Sequence, residues 1–141
     1  MSNNASPISY RAMQKTQLLF KRFALNWQTL FPENYEDYGL IQIKYAMPHL
    51  PYCYIICEDH TGKSVLDSQQ LSQFFYKEAM TLSKLHTDDL QQFVIIESGQ
   101  SVRKHKSGRH AHIFIVQNRW QKTWLYTVLA SKNIILAPIR R

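Results

Sequence analysis

The stretch QQFVIIESGQSVRKHKSGRHAHIFIVQ, residues 91–117, sets two short apolar runs around a basic loop that contains glycine. Runs rich in β-branched and aromatic residues, bounded by turn residues, read as strands, and two in succession read most simply as a hairpin. Gly108 is able to take the positive φ that such a connection can require. Successive strand residues alternate sides, so Phe93, Ile95 and Glu97 share one face of the first strand. On the second strand His110 and His112 stand side by side, with Ala111 and Ile113 on the reverse.

Working outward, the spacing predicts a strand in YEDYGLIQIKYAM (35–47), where Ile41, Ile43 and Tyr45 oppose Leu40, Gln42 and Lys44. PYCYIICED (51–59) is more evenly apolar and reads as a central strand, with the two-proline PHLP as the turn before it. Asp67 is placed to cap a helix in QQLSQFFYKEAMTLSKL (69–85), whose apolar residues Leu71, Phe74, Phe75, Ala79, Leu82 and Leu85 recur at helical spacing. Residues 9–31 also show helical spacing, through Met13, Leu18, Phe20, Phe23, Trp27 and Leu30, and Pro32 ends the pattern. Asn118 opens a last helix over 119–132, and IILAP (134–138) is a strand candidate. The expected order is α-β-β-α-β-β-α-β. This is an α+β domain spanning 1–141, with a largely antiparallel sheet, helices packed on it and a flexible leader at 1–8.

The chain has 141 residues, 45% of them hydrophobic, which is enough for one domain with a proper core. Seventeen basic against 10 acidic residues give a net charge of +7, which favours a polyanionic partner. Cys53 and Cys57 would share a strand face too far apart to bridge, and they read as buried thiols of a reducing compartment. MSNNASPISYRAM has no secretory pattern, and no apolar run approaches the ~20 residues of a membrane helix. The expectation is a cytoplasmic chain with no membrane association.

Two readings of the hairpin stay open on the residues alone. If Glu97 approaches the histidines across the pair, then Glu97, His110 and His112 make a ligand set that leaves positions on a divalent metal for substrate oxygen. Otherwise they are ordinary strand residues. Arg103, Lys104, Lys106 and Arg109 can hold phosphates, or can solvate a hairpin tip. Trp120 and Trp124, one turn apart on a helix, serve packing or stack on bases. Phe114 stands where a histidine-triad hydrolase needs a third histidine, no Asp-x-Asp pair supports a primase-polymerase, and no nucleophile elbow supports a serine hydrolase.

The succession YCYIICEDH, the helix around QQLSQFFYKEAM, FVIIESG and RHAHIFIV resembles HUH endonucleases, and in its order is similar to inovirus-type rolling-circle replication initiators. The resemblance covers residues 52–117, about half of the chain. It implies metal-dependent nicking of single-stranded or hairpin DNA in replication of a phage, plasmid or mobile element, with bacterial or phage origin. His110 and His112 would hold Mg²⁺ or Mn²⁺ with Glu97 as third ligand, and the nucleophile would be the helical Tyr126, which attacks a phosphate to form a phosphotyrosyl link. Lys122, one turn before Tyr126, would help hold phosphate, whereas Ala130 stands where the family carries a lysine one turn after. The competing reading, from another class, is a basic nucleic-acid-binding or accessory module that acts on a nucleoprotein complex without cutting.

Overall fold

The computed structural model describes residues 25–58, 64–97 and 109–140, with side chains to residue 130. Its five strands are β1 (Leu25–Leu30), β2 (Leu40–Met47), β3 (Leu50–Glu58), β4 (Phe93–Glu97) and β5 (His110–Ile115). Two helices accompany them, α1 (Ser68–Thr87) and α2 (Arg119–Arg140), and a single 3-10 turn (Glu36–Tyr38) precedes β2. The sheet order is β1-β2-β3-β5-β4 and every neighbouring pair is antiparallel. The α+β class therefore holds, and β3 occupies the centre as its even apolar character predicts.

β2 and β3 form a hairpin on the two-residue turn Pro48-His49, with Met47 opposite Leu50. Pro fixes φ at the first central position, and His49 takes a left-handed φ of 68° at the second. Asp67 caps α1 with a complete capping box: its carboxylate accepts from Gln70 N, and the Gln70 side chain accepts from Asp67 N. Reciprocal caps of this kind stabilise a helix by about 1 kcal/mol. α1 then carries the chain from β3 to β4 and leaves one strand's width between them, which β5 fills.

Strand alternation divides the core in two. On one side α1 packs Leu71, Phe75, Ala79 and Leu82 against Leu40, Tyr54, Ile56, Ala111, Ile113 and Ile115. On the other, Ile41, Ile43, Tyr45, Cys53, Ile55, Cys57 and Phe114 meet Leu125 of α2, with Trp124, Val128 and Leu129 at the margin. β2 is thus buried on both faces rather than half-buried, since Leu40 and Gln42 are covered as fully as Ile41 and Ile43. Cys53 and Cys57 are buried thiols without a disulfide, and burial pushes Cys53 up to about 12.

Two expected elements differ. Residues 25–30 form the edge strand β1, not the end of a helix, and the remainder of the expected helix, with the leader, lies outside the described residues. β2 needs a partner for its outer backbone groups, and that ladder overrides the helical spacing. β1 carries a bulge where Asn26 turns left-handed at φ 55°. The expected last strand, IILAP, is instead the continuation of α2 to Arg140. Asn133 alone stands between Lys132 and Ile134, with no Gly or Pro to stop the helix there, and a short apolar run reads equally as helix when the helix before it continues.

Candidate functional site

β5 carries the histidines on the α2 side of the sheet, in line with Phe114. The rings of His110 and His112 meet edge to face, with centroids 5.1 Å apart. Cys57 of β3 pairs with His110, Ile55 pairs with His112, and Ile96 of β4 flanks His112 on its other side. His112 is only 4% exposed, and its Nδ1 has no hydrogen-bond partner among the described residues. Burial, followed by the proximity of His110, pushes its pKa down to about 3, so the ring is neutral in ordinary conditions.

Glu97 is not brought to this face. It pairs with Ala111, so its side chain lies on the α1 side, where Oε2 accepts a 2.8 Å hydrogen bond from Ser72 Oγ. The expected Glu97, His110, His112 ligand set is therefore split across the sheet: the two histidines share the α2 side and Glu97 does not join them. Among the described residues no group of three His, Cys, Asp or Glu side chains is arranged to hold one.

Arg109 is also placed differently from the expectation. It enters a buried ion pair with Glu58, Nη2 to Oε2 at 2.7 Å, joined by Nε at 3.1 Å. Its backbone N donates to Glu58 Oε1, and Nη2 also donates to Leu66 O. Ser64 N adds a further donor to Glu58 Oε2. Burial by itself would raise the Glu58 pKa, but these hydrogen bonds and the guanidinium charge outweigh it and hold the carboxylate below its usual value. Arg109 thus ties the start of β5 to the end of β3 instead of presenting its charge to a phosphate. Arg103, Lys104 and Lys106 lie outside the described residues.

Tyr126 and Lys122 lie on the solvent face of α2. At about 100° per residue, Tyr126 points roughly 130° away from the mean direction of Trp124, Leu125, Val128 and Leu129, which face the sheet. The residue is 48% exposed. Together with Arg119, Lys122, Thr123 and Thr127 it lines a depression of about 550 Å³ on the outside of the helix. The tyrosine hydroxyl and the histidine pair accordingly belong to different surfaces.

The two tryptophans part company. Trp124 packs at the core margin and donates from Nε1 to Pro48 O at 2.8 Å, whereas Trp120 is 62% exposed. Asn118 caps α2 as expected, its Oδ1 accepting from Gln121 N. Sequence reasoning overlooked Arg119 as a partner of Lys122; its position one turn before Lys122 on the expected helix was the available signal. Among the described residues no helix is long and apolar enough to cross a membrane. No protein-family model, curated protein or solved structure matches the chain.

Proposed function

We propose that this domain binds single-stranded or hairpin nucleic acid through the outer face of α2 and holds it without cutting. The observation that carries this reading is the grouping of Arg119, Lys122 and exposed Tyr126 around one depression on a helix whose opposite face is committed to the core. Two cations can follow a phosphate backbone and an exposed ring can stack on a base. The net charge of +7 supports the same class of partner.

The nicking reading asks the histidines, Glu97 and Tyr126 to act on one phosphate. These residues occupy the α2 side of the sheet, the α1 side of the sheet and the outside of α2 respectively, and that separation favours a binding module. No metal enters this reading.

The test is fluorescence anisotropy of the full chain with a labelled oligo-dT across a salt series. The double variant Arg119→Ala, Lys122→Ala should weaken binding and flatten the slope of log K against log salt by about 1.4, at about 0.7 per phosphate contact on a single strand. An unchanged slope removes the α2 face as the binding surface. A metal-dependent covalent protein–DNA band that disappears in Tyr126→Phe would restore the enzyme reading.

A further inference from the structure

A second recess, of about 460 Å³, lies around the corner from the basic depression, between the β2–β3 turn and the first turn of α2. Met47, His49 and Pro51 line it from the hairpin, and Asn118, Trp120 and Gln121 from the helix. Its volume falls within the about 300–1,000 Å³ typical of small-molecule sites. We propose that it receives a single unstacked base of the nucleic acid whose backbone crosses Arg119 and Lys122. The proposal rests on the reading above and adds the element that grips a base.

Three observations point to a base. Trp120 is a large aromatic side chain, 62% exposed, at the mouth of the recess. The core does not use it, because Trp124 one turn later fills the packing position. His49 presents a second ring, 6.4 Å from Trp120 and 5.3 Å from Trp124 and steeply inclined to both. His49 also holds the left-handed conformation that glycine adopts without penalty. Residues held in such conformations cluster at binding and active sites.

The walls are fixed in advance. The Trp124 hydrogen bond to Pro48 O ties the hairpin turn to α2. Gln121 braces the helix start, its Oε1 accepting from Gln117 N and its backbone N donating to Asn118 Oδ1. A recess shaped before binding spends less of its interaction energy on ordering. Arg119 precedes Trp120 and lines the neighbouring depression, so a phosphate held there leaves its base beside the indole. The chemistry commits to stacking, which every base offers, and so to a single strand rather than a duplex with its bases paired.

The experiment compares two labelled oligomers of equal length, oligo-dT and an abasic chain of the same phosphodiester backbone, binding the full-length protein. Trp120→Ala should weaken oligo-dT binding roughly 5- to 140-fold, in keeping with the effect of removing one stacking aromatic. It should leave abasic binding and the salt slope unchanged. Trp120→Phe should retain most of the affinity, and His49→Gly, which suits the turn, should lose several-fold without loss of thermal stability. If Trp120→Ala and His49→Gly bind oligo-dT like the parent while Arg119→Ala, Lys122→Ala does not, the recess takes no base and the nucleic-acid reading stands. If the parent binds neither oligomer, both fall. Equal weakening of oligo-dT and abasic binding by Trp120→Ala would assign the indole to the backbone and overturn the base site.

Discussion

On the α1 side of the sheet the buried polar side chains are partnered. Tyr35 donates to Glu78 Oε1 and accepts from Gln42, Tyr54 bonds His86 at 2.6 Å, and Glu58 is held by Arg109 and Ser64. On the α2 side, Tyr45 Oη and His112 Nδ1 are buried with no partner among the described residues. A buried group left unsatisfied costs about 1–3 kcal/mol, whereas a satisfied one returns about 0.5–1.5 kcal/mol. The α1 side thus uses polarity to fix which residues meet. At Tyr45 and His112 the α2 side carries polarity that no hydrogen bond among the described residues uses.

The largest effect that would sharpen this contrast is at Glu58. Glu58→Ala leaves the Arg109 guanidinium largely covered and without its carboxylate, and should cost about 3–5 kcal/mol in urea denaturation. A loss below about 1 kcal/mol would mean that the α1-side network is ornamental and the contrast fails.

The next effect is on pH dependence. His112 keeps a pKa of about 3 against an ordinary 6.5, so below pH 6.5 the unfolded chain takes up a proton that the folded chain refuses. The stability it secures is complete above pH 6.5 and drains away as pH falls toward 3, by at most about 1.4 kcal/mol per pH unit. His112→Leu should flatten most of that slope between pH 6.5 and 5 while leaving the fold intact at neutral pH. A smaller slope should persist, because burial and the Lys44 charge also lower the pKa of His86. Glu58, whose pKa is lowered as well, loses its contribution only further into acid. Thermal melts of both proteins from pH 7.5 to 4.5 decide the matter, and parallel curves would remove His112 as the source.

The smallest effects come from a matched pair. Tyr54→Phe takes the hydroxyl from His86 and should cost about 1 kcal/mol. Tyr45→Phe removes an orphaned hydroxyl and should be neutral or slightly stabilising, within about 0.5 kcal/mol. Equal losses in chemical denaturation would erase the distinction between the two faces.

Local pattern was enough to find β2, β3, α1 and the β4–β5 hairpin, because alternation, an N-cap and turn residues are all written in neighbouring positions. β1 escaped because its strand character comes from pairing with β2, a tertiary demand on residues whose own spacing is helical. The site was less legible still. Whether Glu97 joins the histidines depends on strand register, and a slip of one residue would exchange its faces; the observed pairing with Ala111 puts it on the wrong one. Arg109 reads as one cation of a basic loop, and its true partner lies 51 positions earlier. Tyr126 and Lys122 were correctly placed on a helix, but helical phase relative to the sheet turned them to solvent rather than toward His110.

The position of β5 has a consequence for how the chain acquires its fold. β3 and β4 never pair with each other, and each pairs instead with β5, which is made after both. During synthesis from the N-terminus, α1 and β4 can exist before the strand that joins β4 to the sheet has been translated. The β1-β2-β3 meander offers local contacts early, while the sheet closes only when His110–Ile115 slots into a waiting gap. The β3–β5 pairing joins residues far apart in the chain whereas the β4–β5 pairing is local, and it is the long-range pairing that is intrinsically slow. Until β5 is in place, β3 presents an open edge able to recruit a strand from another molecule.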